Sequence, residues 1–259
     1  MGKNEVAVKE EYGVAEITDN DFMQAMQPEQ DITAQDVMIP KILIMQPQSP
    51  RVVEQDNKLG DLVDTMNWEK LANAKDKKND ASSLEVVPFF WTKYWLIKKQ
   101  NGSRWDFESM IKMDRTNQNE DPFKTWPGDD GVLRKREYMH LFYVLVPGKQ
   151  IPYALAFKGA SKKAGDSLVT QMFTVNKNLK VDAAWKASPM AKAMHITPVI
   201  TSKNDNTFVT LEVSVSRDST FDEAVEALTW SKAVSSGATK TDHSDLASEE
   251  YIDAHGGEF

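Results

Sequence analysis

The plainest alternation in this chain lies late, where Val209, Leu211, Val213 and Val215 are separated by Thr210, Glu212 and Ser214. A period of two is that of a strand with one buried face. The run 195–201 precedes it across Lys203-Asn-Asp-Asn, a turn sequence, so the two are predicted to close the fold as a hairpin. Earlier strands are predicted at 84–99 and 105–113, joined by the hairpin-type pair Asn101-Gly102. Residues 138–146 are apolar on both faces, as a buried strand should be, and 151–158 returns after Pro147-Gly-Lys. A helix fits 162–179, with Leu168, Met172, Val175 and Leu179 on one stripe beside Val169 and Phe173. A shorter helix fits 221–232, with Thr220 and Glu223 spaced as a capping box.

Nearer the start, the β-branched run 36–45 reads as an edge strand because Pro40 interrupts it, and 59–73 reads as a short helix. Residues 75–83 read as a solvated linker. Residues 114–131, rich in Asn, Asp and Gly with Pro122 and Pro127, form a loop long enough to suggest function or mobility. Strands, one helix and a closing hairpin give a mainly β (α+β) class. The expected architecture is an OB-like five-stranded barrel with its helix between strands 3 and 4, an N-terminal extension and a short C-terminal helix. The alternative is a generic α+β sheet with one helix on its face. The expected division is a flexible acidic segment over 1–35, one domain over 36–230 and a disordered acidic tail over 231–259.

Charge sharpens that division. The net charge of −8 is uneven: residues 1–35 carry −6, residues 231–259 carry −4, and 84–203 hold 19 Lys or Arg against 11 acids. Acid at the ends and base in the middle suits a binder of polyanions whose termini do something else. The absence of cysteine rules out disulfides, thiolate metal sites and cysteine nucleophiles, and fits a reducing cytoplasm. No apolar run approaches a membrane span, and the opening Met-Gly-Lys-Asn-Glu-Val predicts neither a secretory signal nor, with Val6 where Ser or Thr is needed, myristoylation.

Catalytic chemistry finds little support. Gly159-Ala-Ser-Lys-Lys-Ala-Gly-Asp-Ser mimics a phosphate loop, but five residues separate its glycines and Asp166 stands where the lysine belongs. His140, His195, His243 and His255 are far apart, so no metal site or cofactor is expected, and His140 reads as a satisfied core or wall residue. The acidic pairs Asp106/Glu108, Glu120-Asp121 and Asp129-Asp130 read as solvated loop carboxylates, and no catalytic residue is assigned.

The constructive signal is aromatic residues interleaved with cations. Phe89-Phe-Trp-Thr-Lys-Tyr-Trp-Leu-Ile-Lys-Lys places five aromatics and three lysines within 11 residues. Single-strand binders pair a cationic groove for phosphates with rings on which bases stack. On a strand Trp91, Lys93 and Trp95 share a face, and Lys93 argues that this face is the outer one. With them the candidate DNA-binding set is Lys98, Arg104, Trp105, Trp126, Arg134, Lys135, Arg136, Lys158, Lys162 and Lys163.

Four stretches carry a family resemblance. Asp31-Ile-Thr-Ala-Gln-Asp-Val-Met-Ile-Pro-Lys-Ile-Leu-Ile-Met-Gln-Pro-Gln-Ser-Pro with Lys58-Leu-Gly-Asp61, then Leu84-Glu-Val-Val-Pro-Phe-Phe-Trp, resembles the layout of single-stranded-DNA-binding proteins of lytic bacteriophages. The ending, Asp245-Leu-Ala-Ser-Glu-Glu-Tyr-Ile-Asp-Ala-His-Gly-Gly-Glu-Phe259, is similar to the acidic tails with a final Phe in that group, though it departs from their common Asp-Asp-Ile-Pro-Phe. The resemblance implies a non-enzymatic, sequence-tolerant coat for single-stranded DNA in phage replication, recombination and repair, in the cytoplasm of an infected bacterium. It also implies partner contacts through the tail, with Tyr251, Ile252 and Phe259 as anchors and RNA polymerase or replication proteins as partners. The competing expectation is a phage adaptor or inhibitor that mimics DNA to a host enzyme; a recombination nuclease comes third.

Overall fold

Eighteen residues without a break, Leu84–Asn101, form the strand on which this fold is organised. The computed structural model describes residues 37–74, 82–122, 124–174, 184–203, 206–237 and 239–241. Within them the strands are β1 (Val37–Met38), β2 (Lys41–Ile44), β3 (Leu62–Asp64), β4 (Lys70–Ala72), β5 (Leu84–Asn101), β6 (Arg104–Lys112), β7 (Thr125–Pro127), β8 (Leu133–Leu145), β9 (Tyr153–Phe157), β10 (Lys192–Lys203), β11 (Asn206–Asp218) and β12 (Thr239–Lys240). The helices are α1 (Pro50–Val53), α2 (Lys162–Thr174) and α3 (Phe221–Ser235).

Ten strands make one mixed sheet in the order β11-β10-β5-β8-β9-β2-β3-β4, with β6 added to β5 and β7 to β8. All its pairs are antiparallel except β2 with β9. β8 runs beside β5 from Val87 to Lys99. On its other edge β5 pairs first with β10, at Leu84–Val86, and later with β6, from Tyr94 onward. Pro88 falls in the gap between those two partners, beside a bulge at Pro88/Phe90, and a second bulge follows at Ile97/Lys98. Bulges bend a strand and increase its twist, which curls the sheet into a half-barrel.

This corrects the expected OB barrel. The sheet is open, ending at β11 and β4, and α2 follows β9 instead of bridging the third and fourth strands of a closed five-stranded barrel. Three local expectations change with it. The predicted edge strand splits at Pro40 into β1 and β2, and β2 lies inside the sheet between β9 and β3. The predicted helix over 59–73 is instead the β3–β4 hairpin. Leu62, Val63 and Asp64 are all buried, and Asp64 Oδ1 accepts from the amides of Met66 and Asn67, 2.9 and 2.7 Å away, to close the turn. The long loop contains β7, and β8 starts at Leu133, well before 138.

Each face of the sheet carries one helix. On one face Leu96, Met139, Leu141 and Tyr143 pack against Ala224, Ala227, Leu228 and Val234 of α3. On the other, Phe142, Val144, Leu155 and Phe157 pack against Leu168 and Met172 of α2; the predicted stripe positions Val175 and Leu179 lie outside the described residues. Burying each such side chain contributes roughly 1.5–3 kcal/mol. The Thr220/Glu223 capping box forms as expected, and Arg217 joins Glu223 (2.6 Å) to Glu85 of β5 (2.8 Å), pinning the start of α3 to the sheet. α3 continues to Ser235 and β12 pairs in parallel with β1, so the described fold extends past residue 230. Among the described residues no helix is long and apolar enough to cross a membrane.

Candidate nucleic-acid interface

Residues directly opposed across paired strands point to the same face, so the register of β5 and β8 sorts the candidate site. Trp91, Lys93, Trp95 and Ile97 oppose Phe142, His140, Tyr138 and Arg136, and Lys99 opposes Arg134. All of these lie on the α2 face. The expected grouping of Trp91, Lys93 and Trp95 on one face therefore holds, but this face is not the outer one expected, since Trp95 is buried and Trp91 packs under α2. β8 adds Arg134, Arg136, Tyr138 and His140 in alternation.

α2 covers one end of this row. Trp91 is half-buried against Phe173, with ring centroids 6.2 Å apart, and its Nε1 donates to His140 Nδ1 at 2.9 Å. That bond assigns the imidazole proton to Nε2, which donates to Asp166 Oδ1 at 2.8 Å. Asp166 Oδ2 accepts from the Tyr138 hydroxyl at 3.1 Å. Burial first, and the Lys93 charge second, lower the pKa of His140, with Asp166 opposing them. The histidine is thus neutral near pH 7 and serves as the wall residue its sequence context suggested.

Where α2 begins, the row reaches the surface. The Tyr138 ring has the Lys93 ammonium 4.0 Å from its centroid and that of Lys162 at 5.2 Å. Burial lowers the pKa of Lys93 while Asp166 raises it. Lys158 is half-exposed just before α2, and Lys163 is exposed on its first turn. A ring flanked by two ammonium groups at the lip of a sheet can take a base against its face and phosphates beside it.

The far end of the row is closed by residues 114–131. Trp95 is only 3% exposed, and its Nε1 donates to the Asn117 carbonyl at 3.1 Å. Arg136 lies between the rings of Trp95 and Trp126, 5.6 and 4.9 Å from their centroids, and pairs with Glu120. Arg134 forks onto Glu108 of β6, at 2.7 Å through both Nε and Nη2, and holds Asp130 at 2.7 Å. The Asp130 carboxyl is held down at about 2 by that guanidinium. Glu108, Glu120 and Asp130 are exposed, as their reading as solvated had it, and are at the same time partners of the protein's own arginines.

Three candidates fall on the opposite face. Lys98 is 5% exposed and paired with Glu137 at 3.1 Å. Lys135 pairs with the same carboxylate at 3.1 Å and lies 4.9 Å from the centroid of Trp105. Burial raises the Glu137 pKa, yet Lys98 and Lys135 together outweigh it and leave the group at about 2. Lys98, Trp105 and Lys135 form a structural ion cluster on the α3 side, because the alternation of β5 sends position 98 away from 93 and 95. Arg104 is exposed at the β5–β6 turn, outside the row. Tyr251, Ile252 and Phe259 lie outside the described residues.

Tyr138 was not singled out from sequence, although the i, i+2 series Arg134, Arg136, Tyr138, His140, Phe142 carried the signal. Among the described residues no group of three or more His, Cys, Asp or Glu is arranged to hold a metal. No protein-family model matches this chain, and neither the curated proteins nor the solved structures provide a match.

Proposed function

We propose that the protein binds single-stranded DNA without base specificity along the α2 face of β5 and β8. One observation carries the reading: Tyr138 stands at the exposed middle of the row, between the part under α2 and the part under 114–131, with the ammonium groups of Lys93 and Lys162 at 4.0 and 5.2 Å from its ring. Arg136 and Trp126 continue the same alternation of cation and ring. Stacking tolerates any base and ammonium groups read only charge, so this combination selects strands rather than sequences. The resemblance to phage single-strand-binding proteins supports the same reading, and with it a role in replication, recombination and repair. With it goes the proposal that the acidic tail recruits replication or transcription proteins.

The mimicry alternative needs acidic surface aimed at a partner, whereas Glu108, Glu120 and Asp130 face Arg134 and Arg136. A gel shift with single- and double-stranded oligonucleotides over a salt series tests the reading. Preference for the single strand is expected, with log affinity falling against log salt by roughly 0.7 per phosphate neutralised. Equal or tighter binding to duplex would overturn it.

A further inference from the structure

The row of cations and rings does not end at Tyr138; it continues beneath residues 114–122. This segment carries Asp114, Glu120 and Asp121 against Arg115 alone. Its grip on the sheet is polar: the Asn117 carbonyl accepts from Trp95 Nε1 at 3.1 Å, and Glu120 pairs with Arg136. Other bonds of the segment are local. Asp114 Oδ1 accepts from the amide and hydroxyl of Thr116, at 2.7 and 2.6 Å, and Asn117 Nδ2 donates to the Lys112 carbonyl at 3.0 Å. Met113 is the last residue of this stretch whose amide bonds to β5, at 2.8 Å from the Lys93 carbonyl. A strap whose described contacts with the sheet include this indole bond and this ion pair can exchange them for contacts with a ligand while β5, β6 and β8 stay intact.

What it conceals has the chemistry of the exposed middle at Tyr138. Trp95 is almost fully buried although it follows Lys93 on the outer row, and Arg136 lies between Trp95 and Trp126 with a carboxylate as its counter-ion. We propose that Trp95, Arg136 and Trp126 form a second subsite for a base and its phosphate, kept closed by the 114–122 strap. The Glu120 carboxylate occupies the place of the phosphate and the Asn117 carbonyl that of a polar group on the strand. The inference rests on the single-strand reading above. A strand anchored at Tyr138, Lys93 and Lys162 supplies phosphate at high local concentration and exchanges for Glu120, exposing the Trp95 ring. The closed strap keeps an aromatic surface from water when no strand is present, and makes the second contact conditional on the first.

The full chain is tested with a dT oligonucleotide by hydrogen exchange and by titration at low and high salt. Amides of 114–122 are expected to lose protection on binding while those flanking Trp95 gain it. Glu120→Gln removes the competing charge, and Asp114→Ala removes the turn that shapes the strap. Both are expected to bind about two- to fivefold tighter at low salt, with the gain vanishing at high salt. Wild-type binding with strap protection retained would overturn the subsite while leaving the single-strand reading standing. No binding by any of the three proteins would overturn both.

Discussion

Gly165 of α2 lies against the ring of His140: a Cβ at 165 would come within 2.8 Å of His140 Cδ2 and 2.9 Å of Phe157 Cβ. The glycine lets α2 approach closely enough for Asp166, the next residue, to accept from both His140 and Tyr138. Elsewhere in a helix, Gly→Ala is favourable by up to ~1 kcal/mol. At this position steric overlap dominates, and Gly165→Ala should destabilise the fold by about 1–3 kcal/mol in urea denaturation. A stabilised variant would show that α2 does not seat as described.

His140 sets a pH dependence. Its folded pKa lies below the unfolded value of ~6.5, so the unfolded chain binds the proton more readily. The stabilisation is complete above the unfolded pKa and is lost as pH falls through the folded one. Urea midpoints of the wild type should therefore decline below about pH 6.5, and His140→Gln should flatten the part of the decline that begins there. Parallel profiles for the two proteins would refute the assignment of this step to His140.

Trp95 and Tyr138 should differ most in their effect on stability, since Trp95→Ala removes both a buried ring and the ring of the strap-covered subsite. Trp95→Ala opens a cavity beneath the strap and should lower stability by ~3–5 kcal/mol. Tyr138→Ala loses one hydrogen bond, worth ~1 kcal/mol, but should weaken single-strand binding by ~1–3 kcal/mol. Thermal melts and fluorescence titration of each variant read the two effects. Binding by Tyr138→Ala at wild-type affinity would remove the ring from the site.

Glu137 and Lys98 should behave as structure, not as DNA contacts. Glu137→Gln takes the compensating carboxylate from a buried lysine and should cost on the order of 3 kcal/mol. Because the folded carboxyl sits at about 2, that stabilisation holds above the unfolded value near 4.5 and fades as pH falls toward 2. Lys98→Met should leave single-strand affinity of the folded protein unchanged. A loss comparable with that of Lys93→Ala would place position 98 on the binding face after all.

Local information in the sequence determined the strands at 84–99, 105–113, 195–201 and 207–216, the capped start of α3 and the shared face of Trp91, Lys93 and Trp95. Alternation, turn residues and caps act over a few positions, so they are legible without a fold. It misread 59–73, where apolar residues compatible with a helix were taken up by a hairpin that Asp64 closes with its buried carboxylate. Only tertiary structure decided the sheet order, because β5 finds β10, β8 and β6 at separations the local pattern does not encode. The same holds for the site. Sequence marked Trp95 as outward-facing and Arg134 and Arg136 as candidate cations, but whether a strap and its carboxylates lie over them depends on chain folding back from 114–131. Lys98 shows the converse: a single register step sends one lysine of a basic run into an ion cluster on the far side of the sheet while Lys93 stays at the lip.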